Sequence, residues 1–393
     1  KQFDILKKLM NAPDVTEVVN ACDAGREGEL IFRSVCELAG CQKPMKRLWI
    51  SSMEDSAIRE GFANLRPGAD YDGLRDAALC RAKADWLVGI NATRLFSVLY
   101  HRTLNIGRVM SPTLALIVQR EAEIDTFKPV PFYTVVLELP GFSVFGERMK
   151  DKGAAEQLKT ACQGGTVTVK QVERRDKSEK PPALYDLTTL QRDANRLLGF
   201  TAQQTLDYLQ NLYEKKLCTY PRTDSRYLTS DMAEGLPVLV NLVANAMPFR
   251  KGIAISCDAA AVINDKKVTD HHAVIPTRNI READLDALPV GERAILELVA
   301  LRLLCAVAQP YTFAETAVVV ECDGAEFTAK GRTVKQPGWR ALDAAYRAGL
   351  KNAEPDKENE DKALPELSEG QTLPLSNADV KEGKTSPPKH FTE

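Results

Sequence analysis

The chain has 393 residues, a formal net charge of −2, 44% hydrophobic and 7% aromatic residues. That length exceeds one ordinary domain and sets an expectation of two to four, with the composition of a folded protein. No apolar run reaches the roughly eighteen residues of a membrane-spanning helix, so no membrane partner is expected. The start, Lys1-Gln-Phe-Asp-Ile-Leu-Lys-Lys-Leu-Met10, lacks a charged-then-apolar secretory layout and reads as an amphipathic helix already inside a domain. Its first residue is not Met, so a fragment is expected. The nine cysteines contain no C-x-x-C pair, which excludes zinc ribbons and fingers and predicts free thiols in a reducing cytoplasm.

After the opening helix, Val15–Cys22 is an apolar, β-branched run that predicts a buried strand. A polar turn, Asp23-Ala-Gly-Arg-Glu-Gly28, leads to a helix beginning near Glu29, and Arg47–Ile50 predicts a second short strand. This order implies an α/β layer with a parallel sheet. Ser52 and Asp55 resemble a capping box for a helix over 53–65. Residues 71–126 read as helical, with Ser111-Pro112 as N-cap and first-turn proline of the last helix. Arg75–Arg120 carries seven Lys/Arg against two acids, although the net charge alone gives no sign of nucleic acid. Strand signals follow at Phe132–Leu139 and Thr166–Val172. A second helical block, with Thr201 and Gln204 as another capping box, runs to about 308, and strand signals return at Thr312–Cys322. The two β blocks are expected to pair, with the helical block inserted between them. Glu354–Glu369 holds seven acids, two lysines and two prolines, the composition of an exposed linker.

Three segments carry chemistry. Asp23-Ala-Gly-Arg-Glu-Gly-Glu29 lies at the carboxyl end of a predicted strand, where open α/β sheets bind ligands. Asp23 and Glu27 are hard oxygen donors suited to Mg²⁺, while Arg26 and the glycines admit a phosphate; an ordinary polar turn is the competing reading. Tyr220-Pro-Arg-Thr-Asp-Ser225 offers a phenol able to attack a phosphodiester, with Arg222 two residues away as a two-pronged phosphate clamp. The competing reading is a tyrosine packed at a strand end beside a turn. Asp270-His-His-Ala-Val-Ile-Pro-Thr277 holds two of the four histidines; adjacent histidines rarely share a metal, whereas one can act on a phosphate. Arg81 and Asp85 share a helix face, as an ion pair or as DNA contacts, while Trp86 and the neighbouring apolar positions are expected in the core.

Taken together, the chain resembles type IA DNA topoisomerases of the topoisomerase III kind over essentially its whole length. The acidic loop is similar to the family's Toprim motif. Arg81–Arg94 resembles the Arg-x-x-x-Asp-Trp-Leu-x-Gly-Ile-Asn helix, and Gly107-Arg-Val-Met-Ser-Pro-Thr113 the Gly-Arg-Val-Gln-[Ser/Thr]-Pro segment. Thr219–Ser225 resembles the active-site tyrosine motif, Asp270–Thr277 the His-[His/Glu]-Ala-Ile motif, and Phe391-Thr-Glu393 the Phe-Thr-Glu segment.

The resemblance implies a multidomain α/β plus α plus β fold forming a toroidal core. Its parts would be a partial Toprim domain (1–56), a helical base (57–128), a β-rich arch (129–180 and 309–372), a helical gate (181–308) and the start of a returning base segment (373–393). It implies single-stranded DNA cleavage by Tyr220 through a 5′-phosphotyrosyl link, with Arg222, His271 and Glu27 catalytic and Mg²⁺ on Asp23 and Glu27. DNA contacts would come from Arg81, Asp85, Asn91, Arg94, Arg108, Ser111, Thr223, Asp224 and Ser225. Strand passage and resealing would relax or unlink DNA in the bacterial cytoplasm, at the nucleoid. No G-x-x-x-x-G-K-[ST] motif is present, so no ATP is expected. A monomer suffices, and a helicase partner is not specified.

Three departures stand out. Gly25 takes the place of the middle acid of the usual Asp-x-Asp-x-Glu, and Met110 that of the common Gln. By the same resemblance the chain is expected to begin after the family strand that brings a catalytic Glu and a Lys and to stop inside the base, so this piece alone is expected to cleave poorly. Two other classes compete. A Toprim nuclease or primase would need the acidic loop but neither Tyr220 nor His271; a non-cleaving single-strand-binding core would need neither chemistry. A relaxase is disfavoured because His271-His272 lacks the His-x-His spacing.

Overall fold

The computed structural model describes residues 1–50, 55–250, 252–268, 270–350 and 363–391. Ser52 and its capping box, most of the acidic stretch from Glu354, and Thr392-Glu393 therefore lie outside the described residues. The chain divides into two units, 1–116 with 182–307 and 117–181 with 308–391.

The first unit begins with α1 (Gln2–Met10), β1 (Val18–Asn20), α2 (Arg26–Ala39), β2 (Met45–Arg47), α3 (Asp55–Ala63) and β3 (Arg66–Pro67). β1 and β2 pair in parallel and β3 adds antiparallel to β2, so the expected parallel layer is present; β1 is shorter than the run Val15–Cys22, and β2 precedes the expected strand Arg47–Ile50, sharing only Arg47 with it. Phe32, Cys36 and Cys41 form its small core.

Next come α4 (Asp72–Leu99) and α5 (Met110–Asp125), the latter running past the unit boundary at 116. Here two expectations are corrected. α5 starts at Met110, so Ser111 is not its N-cap; the Ser111 hydroxyl instead accepts from the Gly107 amide at 3.1 Å. Trp86, expected in the core, is 65% exposed, as are Leu87, Val88, Leu95 and Leu99 for the most part. α4 packs against α2, and an apolar residue is buried only where a partner element meets its face.

The helical remainder comprises α7 (Leu187–Leu198), α8 (Ala202–Glu214), α9 (Leu236–Ala246) and α10 (Val290–Ala306). α10 is apolar on most faces and packs against α7, α8 and α9, burying Ile295, Val299, Leu303 and Leu304. Each such side chain contributes about 1.5–3 kcal/mol relative to exposure. The Thr201–Gln204 capping box is present at the start of α8. Arg302 of α10 ties to α7 by donating to Asp193 and, at 3.0 Å, to the Tyr185 hydroxyl, which itself donates to Asp193 at 2.8 Å.

In the second unit a seven-stranded antiparallel sheet has the order β10-β4-β5-β8-β7-β6-β9, over β4 (Pro131–Leu139), β5 (Phe142–Met149), β6 (Thr166–Glu179), β7 (Tyr311–Cys322), β8 (Ala325–Gln336), β9 (Thr372–Pro374) and β10 (Asn377–Lys384). β6 pairs with β7 from Thr168↔Glu321 to Glu179↔Tyr311, joining the two β blocks as the sequence implied. Val135, Leu137, Val144, Val167, Val320 and Phe327 make one buried face, covered by α6 (Lys152–Cys162) through Ala155 and Cys162; α11 (Arg340–Ala348) follows β8. Residues from 373, expected to return to a helical base, instead contribute β9 and β10, the latter paired with β4 from Asn377↔Glu138 to Lys384↔Pro131. The alternation Ala378-Asp-Val-Lys381 has the two-residue period of an edge strand rather than a helical period. Among the described residues, no helix is long and apolar enough to cross a membrane.

Candidate active site

Everything in the site belongs to the first unit. The acidic loop between β1 and α2 is held from beneath by a buried polar network. Arg47, at the end of β2 and 1% exposed, donates to the carbonyls of Asn20 at 3.1 Å, Cys22 at 2.8 Å and Asp23. Its Nε lies 3.5 Å from Glu29 Oε2. Glu29 also accepts from Asn20 at 2.8 Å and from Arg33 at 2.8 Å. Burial pulls the Arg47 guanidinium below its usual range, and the Glu29 carboxylate opposes that. Gly28 lets the loop close: a Cβ there would lie 2.2 Å from the Asp23 carbonyl oxygen. None of Asn20, Glu29 or Arg47 was singled out by sequence. The available signal was a lone guanidinium heading the apolar run Arg47–Ile50.

Tyr220 sits on an extended segment laced to the 271–277 segment. Thr219 donates its amide to the Ile275 carbonyl at 3.0 Å, and its hydroxyl donates to Ala273 at 3.1 Å. Val274 donates to Tyr185 at 2.8 Å, and Ala273 to Tyr227 at 2.9 Å. Thr223 donates to the His271 carbonyl at 2.8 Å, and Ser225 to the Lys267 carbonyl at 2.8 Å. Thr223 and Ser225, expected as DNA contacts, are therefore buried holders of this segment, their hydroxyls turned inward. Asp224 and Arg222, which alternate with them, are exposed.

The lacing brings three groups together. The Tyr220 ring lies 4.4 Å from that of His271, centroid to centroid, with Tyr213 edge-on at 5.4 Å. His271 Nε2 is 3.7 Å from Asp23 Oδ1; it is shielded from solvent and has no hydrogen-bond partner among the described residues. Burial, with the nearby Asp23 charge, pushes the Tyr220 phenol above its ordinary value, and Arg222 opposes the shift. The phenol is thus protonated at neutral pH. In a difference titration of tyrosinate absorbance, parent minus Tyr220→Phe, the Tyr220 midpoint is expected above about 10. Asp23→Asn should lower that midpoint by removing a negative charge, and Arg222→Ala should raise it; shifts of the opposite sign would refute this placement.

Glu27 points elsewhere. It accepts from Arg81 at 2.5 Å and lies 3.6 Å from Arg26. Arg81 is 3.9 Å from Asp85, and Asp85 accepts from Arg108, so several expected DNA contacts form one exposed ion-paired chain, Glu27–Arg81–Asp85–Arg108. Asn91 bonds along its own helix, to the Leu87 carbonyl at 2.8 Å, and Arg94 is exposed. His272 is buried with Nδ1 2.8 Å from the Ala273 carbonyl, leaving His271 as the histidine that faces the tyrosine. Among the described residues, no three of His, Cys, Asp and Glu are grouped to hold a metal ion. All nine cysteines are free.

An acidic loop at a parallel strand end, its Asp23 beside a histidine that meets a tyrosine ring, defines a class, and comparison with known proteins agrees. Residues 69–393 match the protein family described as DNA topoisomerase, and the chain belongs to that family, as a type IA member. Within it the chain is topoisomerase III-like. It is 40% identical over 408 residues to DNA topoisomerase 3 of Bacillus licheniformis and 41% over 411 to that of Bacillus subtilis, covering 100% of this chain and 55% of each relative. The chain thus spans about half the length of these relatives. The fold is similar to that of full-length topoisomerase I from Thermotoga maritima, with a TM-score of 0.76 at 22% identity, covering 100% of this chain and 63% of that one.

Proposed function

We propose that Tyr220 is the nucleophile of an ATP-independent, single-strand DNA cleavage and resealing reaction by which the whole protein relaxes or unlinks DNA. The observation that carries this reading is the convergence of the Tyr220 ring on His271, with His271 Nε2 3.7 Å from Asp23. The phenol oxygen forms a bond to phosphorus as the bond to the 3′ oxygen breaks; the 5′ phosphate stays on the tyrosine and the leaving hydroxyl takes up a proton. Bond energy is conserved in the ester, so the reverse attack reseals the strand. Arg222, exposed beside Tyr220, stabilises the charge on the non-bridging oxygens, and His271 supports the same transition state.

Mg²⁺ fits the donor chemistry of the loop. Asp23 and Glu27 are hard oxygen donors, and this ion commonly needs only one or two carboxylates beside water and phosphate. Bound there, it would supply positive charge against the phosphate. Glu27 would hold the ion in place of its contact with Arg81, which would free that guanidinium for a phosphate. We retain the division into Toprim (1–56), base (57–128), arch and gate (181–308) parts, with the arch extended through β10. Cytoplasmic location and function as a monomer accompany this reading.

The DNA face comprises Arg81, Asp85, Asn91, Arg94, Arg108, Ser111 and Asp224. Because Arg81 and Arg108 are already paired with acids, a DNA phosphate must compete with Glu27 and Asp85 for them. Arg81→Ala and Arg108→Ala are each expected to weaken single-strand binding at all sequences and to reduce the salt slope by about 0.7, measured by fluorescence anisotropy from low to moderate salt. An unchanged slope would remove these arginines from the interface. The reaction itself is tested by denaturing the whole protein after incubation with single strands labelled at the 3′ end. Label retained at Tyr220 supports the proposal; cut strands without an adduct indicate a nuclease, and uncut strands a binding core.

A further inference from the structure

Gly25 stands in the middle of the acidic loop, and its backbone does not require glycine: φ −166° and ψ 178° are extended values open to any residue. What requires glycine is space. A Cβ at position 25 would lie 2.5 Å from Asp270 Oδ2, 2.7 Å from its Cγ and 3.0 Å from Oδ1. The Asp270 carboxylate therefore rests directly on the bare Cα of Gly25, the N-cap of α2. Negative charge is favoured at a helix N-terminus. Burial pushes the Asp270 carboxyl above its usual range, with His271 and Arg26 opposing the shift and Asp224 and Asp23 adding to it, so the group lies among the residues of the site. The next residue along, His271, is the one that meets both Asp23 and Tyr220.

We propose that Asp270 is a positioning residue of this active site: seated on Gly25, its carboxylate docks the His271 segment onto the acidic loop. The contact joins two stretches far apart in sequence, the acidic loop and the segment that carries His271. Glycine at 25 and aspartate at 270 are then a matched pair, because any side chain at 25 would displace the carboxylate and, with it, His271. The displaced atoms are the end of a side chain, so substitution at 25 shifts the contact without unfolding the protein. The inference rests on the reading of Tyr220 as nucleophile.

The test is a swap. Single-turnover cleavage of a labelled single strand would be compared for the parent, Asp270→Asn, Asp270→Ala, Gly25→Ala, and the double variant Gly25→Asp/Asp270→Ala. Folding is checked by circular dichroism and Tyr220→Phe is run in parallel. Asp270→Asn and Asp270→Ala should each lower the maximal rate by about tenfold or more while changing half-saturation by less than about twofold, as expected for lost positioning. Gly25→Ala should show a similar loss although it removes no charged group. The double variant, which moves the carboxylate across the contact, should return to within about threefold of the parent. An Asp270→Asn rate within twofold of the parent, or a swap no faster than Asp270→Ala, would overturn the inference. Asp270→Asn is nearly isosteric, so a Gly25→Ala protein that fails to fold leaves these two arms to decide. Continued cleavage by Tyr220→Phe would defeat the nucleophile reading; its inactivity beside a parent-like Asp270→Asn would defeat only this inference.

Discussion

Tyr220→Phe is expected to abolish strand cleavage, by at least about four orders of magnitude, while leaving single-strand affinity within about twofold of the parent. The asymmetry follows from what the substitution removes. The ring remains, with its 4.4 Å approach to His271 and its edge contact to Tyr213, so packing of the segment is preserved. The segment itself is fixed by Thr219, Thr223 and Ser225 through bonds that do not involve the phenol. Only the phenol oxygen is lost, and the Thr223 and Ser225 hydroxyls cannot replace it, because their side chains are buried and turned to the carbonyls of His271 and Lys267. Quantifying both adduct and free cut strand on labelled single strands distinguishes the outcomes. Residual cutting without adduct would mean that the acidic loop directs water to the phosphate, and Tyr220 would then be a packing residue.

Much of this site was legible in the sequence because its chemistry is carried by short contiguous stretches. Asp23 to Glu27, Tyr220 to Asp224 and His271 each offer a residue type suited to the proposed phosphodiester reaction, and the strand-then-loop pattern before Asp23 places the first of them at a sheet edge; Asp270 gave no such signal. The pairing of the two β blocks was legible too, since Thr166–Val172 and Thr312–Cys322 both show strand character; β6 and β7 pair along nearly their whole length. What was not legible depends on partners. Apolar periodicity marks Trp86 and Leu87 as apolar but does not say whether an element covers them, and here they are exposed. Thr223 and Ser225 are polar in sequence, yet a hydroxyl spent on a carbonyl of a distant segment is indistinguishable from one offered to DNA. Arg47 is read as part of a strand, while its function lies in three carbonyls of another segment.

That guanidinium leads to the second large effect. Glu29→Leu is expected to destabilise the protein by about 3–5 kcal/mol, because it leaves the Arg47 charge buried without its carboxylate. Side chains 1% and 2% exposed have little water to fall back on, and Asn20 and Arg33 lose the same acceptor. Removing both charges as Glu29→Leu/Arg47→Met should recover most of that loss, since a well-packed apolar pair replaces a buried ion pair at little net cost. Activity should not recover with it. Arg47 also gathers the carbonyls of Asn20, Cys22 and Asp23, and no methionine can donate to them, so the Asp23 carboxylate loses its fixed place opposite His271. The double variant is expected to unfold in denaturant near the parent midpoint yet cleave single strands about a hundredfold more slowly, the scale of a misplacement of roughly 1 Å. If cleavage returned together with stability, the network would be a structural staple alone. If stability stayed low in the double variant, the loop carbonyls rather than Glu29 would be what the buried guanidinium chiefly satisfies.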